Sequence, residues 1–131
     1  MADRKIILFI DALIAKTKNK EMIWSFLDEN KALYERMGWC EYDFIGNPIL
    51  SFDVESSFYT KAKDGTYVVL YVADNAPATL YVIPRTFRMI RCLEAVDYGR
   101  SITRLFNIVQ SQFPSADKFI SEFSLDGITE V

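Results

Sequence analysis

The chain contains no histidine, and this absence removes both the commonest general base and the commonest transition-metal ligand of proteins. Glycines are few and scattered: Gly38, Gly46, Gly65, Gly99 and Gly127. A phosphate-binding loop needs glycines clustered where a helix begins. We therefore predict no metal, no cofactor and no nucleotide-binding fold, and we assign no catalytic residue.

Cysteine is also scarce, because only Cys40 and Cys92 are present and they could form at most one disulfide bond. Small secreted scaffolds usually contain several. We expect both cysteines to be reduced, buried and structural. Arg91 precedes Cys92 and could favour a reactive thiolate, but adjacent side chains of a strand point to opposite faces.

Positive charge is not in excess, since 15 Lys and Arg stand against 18 Asp and Glu, for a net charge of -3. An acidic chain gains little by releasing counterions from a polyanion, so we expect no nucleic-acid partner. Long apolar runs are missing as well. Residues 6–10 follow Arg4 and Lys5 as in a signal peptide, but Asp11 interrupts them, and no stretch approaches the ~20 apolar residues of a membrane span. We expect a cytoplasmic protein without membrane contact.

The chain does have ample material for a core. Hydrophobic residues make up 50% of its 131 residues, with 10 Phe, 7 Tyr and 2 Trp. This composition excludes low-hydropathy disorder, and the length is typical of one domain. We predict that residues 1–131 form a single α+β domain.

Helical periodicity dominates both ends of the chain. Apolar residues recur at helical spacing over 4–16 and predict a first helix. Asn19 is the expected cap of a second helix, which continues to residue 38. A third helix is predicted over 100–113, and Ser115 is expected to cap a short fourth helix.

Between these helices the pattern alternates, as is typical of strands. Residues 52–63 are apolar on one parity, residues 67–72 are apolar on both, and residues 79–83 suit a third strand. Residues 86–93 fit a fourth strand, but arginines at helical spacing leave a helix open; we favour the strand. The predicted fold class is α+β, an antiparallel three- or four-stranded meander with two N-terminal and two C-terminal helices.

Two carboxylates lie close together in the predicted first strand. Asp53 and Glu55 would share one face, about 7 Å apart between α-carbons. Such a pair could act as acid and base across a sugar or hold a hard cation. Solvent-facing carboxylates on strands are far more common, and we favour that interpretation.

The strongest basic group combines arginines with aromatic residues: Arg85, Arg88, Arg91, Arg100, Arg104, Phe87 and Tyr98. These could bind RNA or an acidic partner. We favour a simpler explanation, in which the arginines pair with the surplus of carboxylates. The aromatic residues could also line a ligand cavity, but aromatics at strand and helix spacing usually belong to the core.

An interaction face follows from the Asp64-Gly65 turn. A two-residue loop would pair Lys63 with Thr66 and fix the register of both strands. The face so obtained is an aliphatic row beside a tyrosine and two lysines: Tyr59, Lys61, Lys63, Val68, Leu70 and Val72. We expect a helix, a second subunit or a partner to cover it. A three-residue turn would shift the pairing by one and exchange these neighbours.

The two ends of the chain resemble small uncharacterised bacterial proteins that continue as a β-meander with C-terminal helices. The matching segments are residues 13–24, LIAKTKNKEMIW, and residues 113–123, FPSADKFISEF. Those proteins have no activity that can be attached to residues. The resemblance therefore implies a bacterial cytoplasmic origin and transfers no site.

The leading functional hypothesis follows by exclusion. We expect a small accessory or regulatory protein that binds another macromolecule, in the manner of an immunity, antitoxin-like or mobile-element protein, with a protein partner or a second copy of the chain. We do not expect an enzyme. The alternatives are a small-molecule-binding sensor and an unrecognised enzyme that uses carboxylates, and fold analogy cannot decide between them.

Overall fold

A five-stranded antiparallel sheet lies at the centre of the fold. The computed structural model describes residues 2–126. In chain order the elements are α1 (Arg4–Lys18), β1 (Ser25–Phe26), a 3-10 turn (Leu27–Glu29), α2 (Lys31–Arg36), β2 (Cys40–Tyr42), β3 (Pro48–Leu50), β4 (Phe58–Lys61), β5 (Tyr67–Tyr71), β6 (Thr79–Ile83), β7 (Arg91–Leu93), α3 (Ala95–Ser111) and α4 (Ala116–Asp126). The strand order is β1-β4-β5-β6-β7, and β2 and β3 form a separate hairpin. The α+β class is confirmed, with a larger sheet than predicted.

The predicted second helix over 19–38 is wrong. Asn19 ends α1 as its C-cap, and Lys20 adopts a left-handed conformation with φ 60°, which a continuing helix cannot contain. The chain then turns back, so that the side chain of Trp24 is buried in the core. Helix α2 begins only after Asn30, whose side chain accepts a hydrogen bond from the backbone of Leu33 at 3.1 Å.

The predicted strand over 52–63 is shortened to β4. Asp53 bends the preceding chain, because its carboxylate accepts a hydrogen bond from the backbone N–H of Glu55 at 3.0 Å. These two carboxylates therefore lie in a turn, and the shared strand face predicted for them is wrong. In the open segment 86–93, the last three residues form β7, and a turn precedes them.

The loop between β4 and β5 contains three residues, 63–65, because Ala62 still pairs with Thr66. The predicted pairing of Lys63 with Thr66 is therefore wrong. Lys61 pairs with Tyr67, and the backbone N–H of Ala62 donates to the carbonyl of Thr66 at 2.8 Å. Gly65 supplies the left-handed residue with φ 93° that a three-residue hairpin loop requires. The register of the whole hairpin is shifted by one residue.

Different elements cover the two faces of the sheet. Helices α1 and α3 pack on one face, which we call the helical face. Its buried residues include Ile10, Leu13, Phe58, Val68, Leu70, Leu80, Ile102 and Leu105. Helix α2, the 3-10 turn and the β2–β3 hairpin cover the other face, which we call the aromatic face. Its residues include Leu27, Leu33, Tyr34, Trp39, Phe52, Tyr59, Tyr67, Val69, Tyr71, Tyr81 and Ile83.

The two C-terminal helices are present as predicted, although the bounds of α3 differ. Helix α3 starts earlier than predicted and kinks at Tyr98, whose hydroxyl accepts a hydrogen bond from the backbone N–H of Asp3 at 3.1 Å. The predicted Ser115 cap is confirmed, since its hydroxyl accepts from the backbone of Lys118 at 3.1 Å. Among residues 2–126, no helix is both long and apolar enough to cross a membrane.

Candidate functional site

The predicted interaction face is divided between two layers. Because the register is shifted, Val68 and Leu70 lie opposite Thr60 and Phe58 and are buried in the helical face, at 4% and 0% exposure. Tyr59 and Lys61 belong to the aromatic face, whereas Lys63 lies in the turn and Val72 beyond the end of β5. A continuous surface made of these six residues is therefore wrong, and any contact they make with a partner stays a prediction.

Aromatic rings form most of the layer between the sheet and the β2–β3 hairpin. The ring of Trp39 packs against two adjacent sheet tyrosines, with centroids 4.8 Å from Tyr71 and 5.0 Å from Tyr81, which are themselves 5.8 Å apart. The hydroxyl of Tyr71 also donates to the Ser51 hydroxyl at 2.9 Å. These contacts fix the base of the hairpin to the sheet.

A dense set of hydrogen bonds organises the outer end of the hairpin. The carboxylate of Asp43 accepts from the backbone N–H groups of Ile45 at 3.0 Å and Asn47 at 2.8 Å. The backbone N–H of Gly46, at φ 89°, donates to the Asp43 carbonyl at 3.0 Å. These hydrogen bonds close the turn, although most of its residues are exposed.

Apolar side chains cover this ordered end. The exposed fractions are 50% for Tyr42, 99% for Phe44, 69% for Ile45 and 54% for Ile49, and we call these four residues the hairpin tip. Tyr42 and Ile49 lie on opposite faces of the hairpin, because Ile49 pairs with Glu41. Phe44 and Ile45 lie in the turn between them. Single exposed apolar residues are ordinary, but a group of them at the end of one element is typical of an interaction surface. Sequence reasoning missed this surface. Gly46-Asn47-Pro48 indicated its turn, but the short flanking strands carried no periodicity.

The surroundings of the hairpin tip are acidic. The hydroxyl of Tyr42 donates to the carboxylate of Glu35, and this bond raises the pKa of Tyr42 well above 10.0. Glu41 is exposed on β2, and Asp43 closes the turn. The segment 40–50 contains no Lys or Arg. The tip therefore combines apolar side chains with a negative rim.

Most of the arginines of the predicted basic group are not paired. Arg104 lies 3.5 Å from Asp11, whereas Arg85, Arg88, Arg91 and Arg100 form no ion pair with any residue that the structure describes. Pairing with surplus carboxylates is thus found for one of the five. The arginines do not form one patch either, because the α3 residues belong to the helical side of the sheet. Tyr98, also predicted as a member, is buried in the core.

Carboxylates line an open cleft of about 780 Å³ beside the 3-10 turn, namely Asp28, Glu29, Glu55 and Asp117. In the part of the chain that the structure describes, no three His, Cys, Asp or Glu side chains come close enough to hold a metal ion. Asp53 does not line this cleft. Among the described residues, this cleft therefore holds no cluster of three such ligands for a metal ion.

The expected burial of both cysteines is wrong. Cys40 is half-buried at the base of the hairpin, and Cys92 is exposed on β7; both are free thiols. Cys92 lies opposite Tyr81 in the sheet. Burial, together with a hydrogen bond to this thiol, raises the pKa of Tyr81 to about 12. The missed exposure follows from β7 being an edge strand with only three residues.

Comparisons with protein-family models, with curated proteins and with solved structures found no match for this chain. Function must therefore be inferred from the surfaces of the molecule. Of these, the hairpin tip combines the greatest exposure with an ordered backbone.

Proposed function

We propose that this chain is an accessory or regulatory protein of the bacterial cytoplasm that acts by binding another protein, and that the hairpin tip is the surface that binds it. The observation that carries the proposal is the side chain of Phe44, which is 99% exposed at the end of a hydrogen-bonded turn. The bacterial cytoplasmic setting is supported by the resemblance of the two chain ends to small bacterial proteins.

Rigidity makes the hairpin tip suitable for binding. A surface already ordered in the free protein loses little conformational entropy on association. Burying one Phe side chain contributes about 1.5–3 kcal/mol, which corresponds to roughly a 10- to 150-fold change in dissociation constant. Phe44 alone could thus decide whether a partner remains bound. Aromatic residues are also enriched among the residues that dominate interface energies.

The chemistry of the partner follows from the rim. Glu35 contacts Tyr42 on one face of the hairpin, and Glu41 pairs with Ile49 on the other. Asp43 lies in the turn beside Phe44. A complementary protein that receives Phe44 would therefore present an apolar pocket bordered by Lys and Arg. The same carboxylates disfavour a lipid surface, because bacterial and other cytoplasmic leaflets carry negative charge. A protein partner is therefore favoured over a membrane.

Helix α4 offers a second apolar surface, with Phe119, Ile120 and Phe123 exposed by 66%, 59% and 56%. The hairpin is favoured because ring contacts and hydrogen bonds join it to the sheet. The side chains of α4 are exposed from Ala116 to Phe123, and over these residues a hydrogen bond from Lys118 to the carbonyl of Ser111 at 3.3 Å is a weaker attachment than the ring contacts of the hairpin.

The proposal is tested by recovering the tagged protein from its native cells with three sequences: wild type, Phe44→Asp and the control Val96→Asp. Val96 is 85% exposed and lies at the start of α3, away from the hairpin. We expect wild type and the control to retain the same stoichiometric protein, and Phe44→Asp to lose it without a change in circular dichroism or melting temperature. Equal recovery by Phe44→Asp would overturn the proposal.

A second arm uses vesicles of anionic phospholipid. Sedimentation of the wild type with these vesicles, abolished by Phe44→Asp, would assign the hairpin tip to membranes and also overturn the proposal. The expected result is no sedimentation of either protein.

A further inference from the structure

A groove of about 350 Å³ lies on the aromatic side of the sheet, between the β4–β5 turn and the segment that joins β6 to β7. Three cations from these elements line it, namely Lys61, Lys63 and Arg85, together with the rings of Tyr67 and Phe87. We propose that this groove binds a mononucleotide, with the phosphate on the three cations and the base against the two rings. The site is separate from the hairpin tip and does not depend on the function proposed for it.

The charge of the groove is opposite to that of the chain as a whole. Lys61, Lys63 and Arg85 are exposed, and none of them forms an ion pair within residues 2–126, although the chain has a net charge of -3. One carboxylate, Asp64, also lines the groove. Hydrogen bonds from Thr66, one of them from its backbone to Oδ1 at 2.9 Å, lower the pKa of this carboxyl, and the charge of Arg85 lowers it further. Asp64 thus offsets one of the three positive charges. The lining therefore keeps an excess of positive charge, which favours a phosphate.

The β4–β5 turn packs directly against one of these cations. A Cβ atom added to Gly65 would lie 3.0 Å from the Cβ of Arg85, which is closer than ordinary van der Waals contact. Glycine thus allows the turn to approach the β6 end, and this approach brings Lys63 and Arg85 to the same groove. The cations converge because of a specific backbone arrangement, even though their side chains are exposed.

Phe87 occupies the groove at the cost of an uncommon backbone conformation. Its φ is 59°, in the left-handed region that bulky residues rarely adopt. Its ring lies 6.1 Å from that of Tyr67, and the guanidinium carbon of Arg36 lies 4.3 Å from its centroid. Strained residues are concentrated at ligand sites. Arg36 is outside the groove lining and covers one face of the Phe87 ring. The ammonium of Lys61 lies 5.5 Å from the Tyr67 centroid. The geometry places one aromatic ring, backed by a planar cation, where a flat base could stack.

The size and chemistry of the groove favour a mononucleotide over larger anions. Its volume lies at the lower end of the roughly 300–1,000 Å³ found for small-molecule sites. A nucleic-acid strand would extend beyond the groove and meet a chain of net negative charge. An acidic peptide would satisfy the cations but would leave the rings of Tyr67 and Phe87 without a flat partner.

The test is an NMR titration of the ¹⁵N-labelled protein with adenosine monophosphate at low ionic strength. We expect saturable shifts at the amides of Gly65 and Thr66, with a dissociation constant on the order of 0.1–1 mM. Adenosine lacks the phosphate, and ribose 5-phosphate lacks the base. We expect each to bind about tenfold more weakly or worse, because each loses one of the two interactions.

Variants assign the binding to the groove. The side chains of Arg85 and Lys63 are exposed, so the fold should tolerate Arg85→Gln and Lys63→Gln. We expect each variant to weaken binding of adenosine monophosphate by about fivefold or more. The matched control is Arg100→Gln on α3, also exposed and outside the groove, and it should change nothing.

Four outcomes would overturn the proposal. They are absence of saturable shifts up to ~10 mM nucleotide, ribose 5-phosphate binding as tightly as the nucleotide, an equal loss in Arg100→Gln, and tighter binding of a short single-stranded RNA or an acidic peptide at the same amides.

Discussion

Thr17 and Trp24 form a buried hydrogen-bonded pair whose removal should weaken the fold measurably. The indole N–H of Trp24 donates to the hydroxyl of Thr17 at 3.0 Å, and this hydroxyl donates to the carbonyl of Leu13 at 2.7 Å. Thr17 is 0% exposed and Trp24 is 4% exposed. In Thr17→Val the side-chain volume is nearly unchanged, but the indole N–H loses its partner where water cannot replace it.

The size of the effect follows from that lost partner. A buried polar group left without a hydrogen bond costs about 1–3 kcal/mol, so we expect Thr17→Val to reduce the free energy of unfolding by that amount. Thr17→Ser keeps both hydrogen bonds and loses one buried methyl group, which costs roughly 1 kcal/mol. In a Trp24→Phe background no donor remains, and Thr17→Val should then be nearly neutral because both partners are apolar.

The assay is urea unfolding followed by circular dichroism, with all four corners of the Thr17→Val and Trp24→Phe cycle. The expected coupling free energy is about 1–3 kcal/mol, and the melting temperature of Thr17→Val should fall by roughly 3 °C per kcal/mol for a chain of this size. A coupling below about 0.5 kcal/mol, which is the usual error of additivity, would refute the reasoning. So would Thr17→Val being less destabilising than Thr17→Ser.

Three further predictions concern a turn, a phenol and the thiols. Gly65→Ala should lower the free energy of unfolding more than Gly46→Ala. Both positions have positive φ, which costs an alanine about 1–2 kcal/mol, but only at Gly65 does the new Cβ lie within 3.0 Å of another residue. Equal losses in urea unfolding would contradict this. The pKa of Tyr81 is raised in the fold from 10.0 to about 12, so the stability that its neutral hydroxyl contributes should be complete below pH 10 and lost as the pH rises through 12. Tyr81→Phe should lose less stability over this pH range than the wild type. Identical profiles of unfolding free energy against pH would contradict this. Iodoacetamide should modify exposed Cys92 before half-buried Cys40 by peptide mass mapping, and the reverse order would be evidence against the described β7 edge.

Periodicity predicted those elements whose burial pattern is set by their own sequence. Helices α1 and α3 each bury one stripe, and strand β5 is buried on both faces. The predicted positions of these elements and of β6 agree with the structure to within a few residues. The second helix failed for a physical reason. Residues 19–38 contain apolar side chains at helical spacing, but burial of Trp24 beneath α1 outweighs continuation of the helix. The backbone reverses at Lys20, and no local pattern reports such a tertiary contact.

The prediction of the interaction face was wrong because the pairing of β4 with β5 differs by one residue from the predicted register. Side chains alternate across a strand, so one extra residue in the β4–β5 turn exchanges the faces of two strands. Val68 and Leu70 thereby belong to the core beneath α1 and α3. Asp64-Gly65 is compatible with loops of both two and three residues. The sequence could predict a hairpin there, but not its faces.

The hairpin tip and the groove both lie on the side of the sheet that is covered by short elements. On the helical face, α1 and α3 are long enough to close the core, whereas six-residue α2 and the β2–β3 hairpin close the aromatic face. Helix α2 also touches both surfaces through adjacent residues. Glu35 accepts the hydrogen bond from Tyr42 of the hairpin tip, and Arg36 lies over the ring of Phe87 in the groove. Because Glu35 and Arg36 are adjacent on one short helix, α2 contributes a contact to each of the two candidate surfaces.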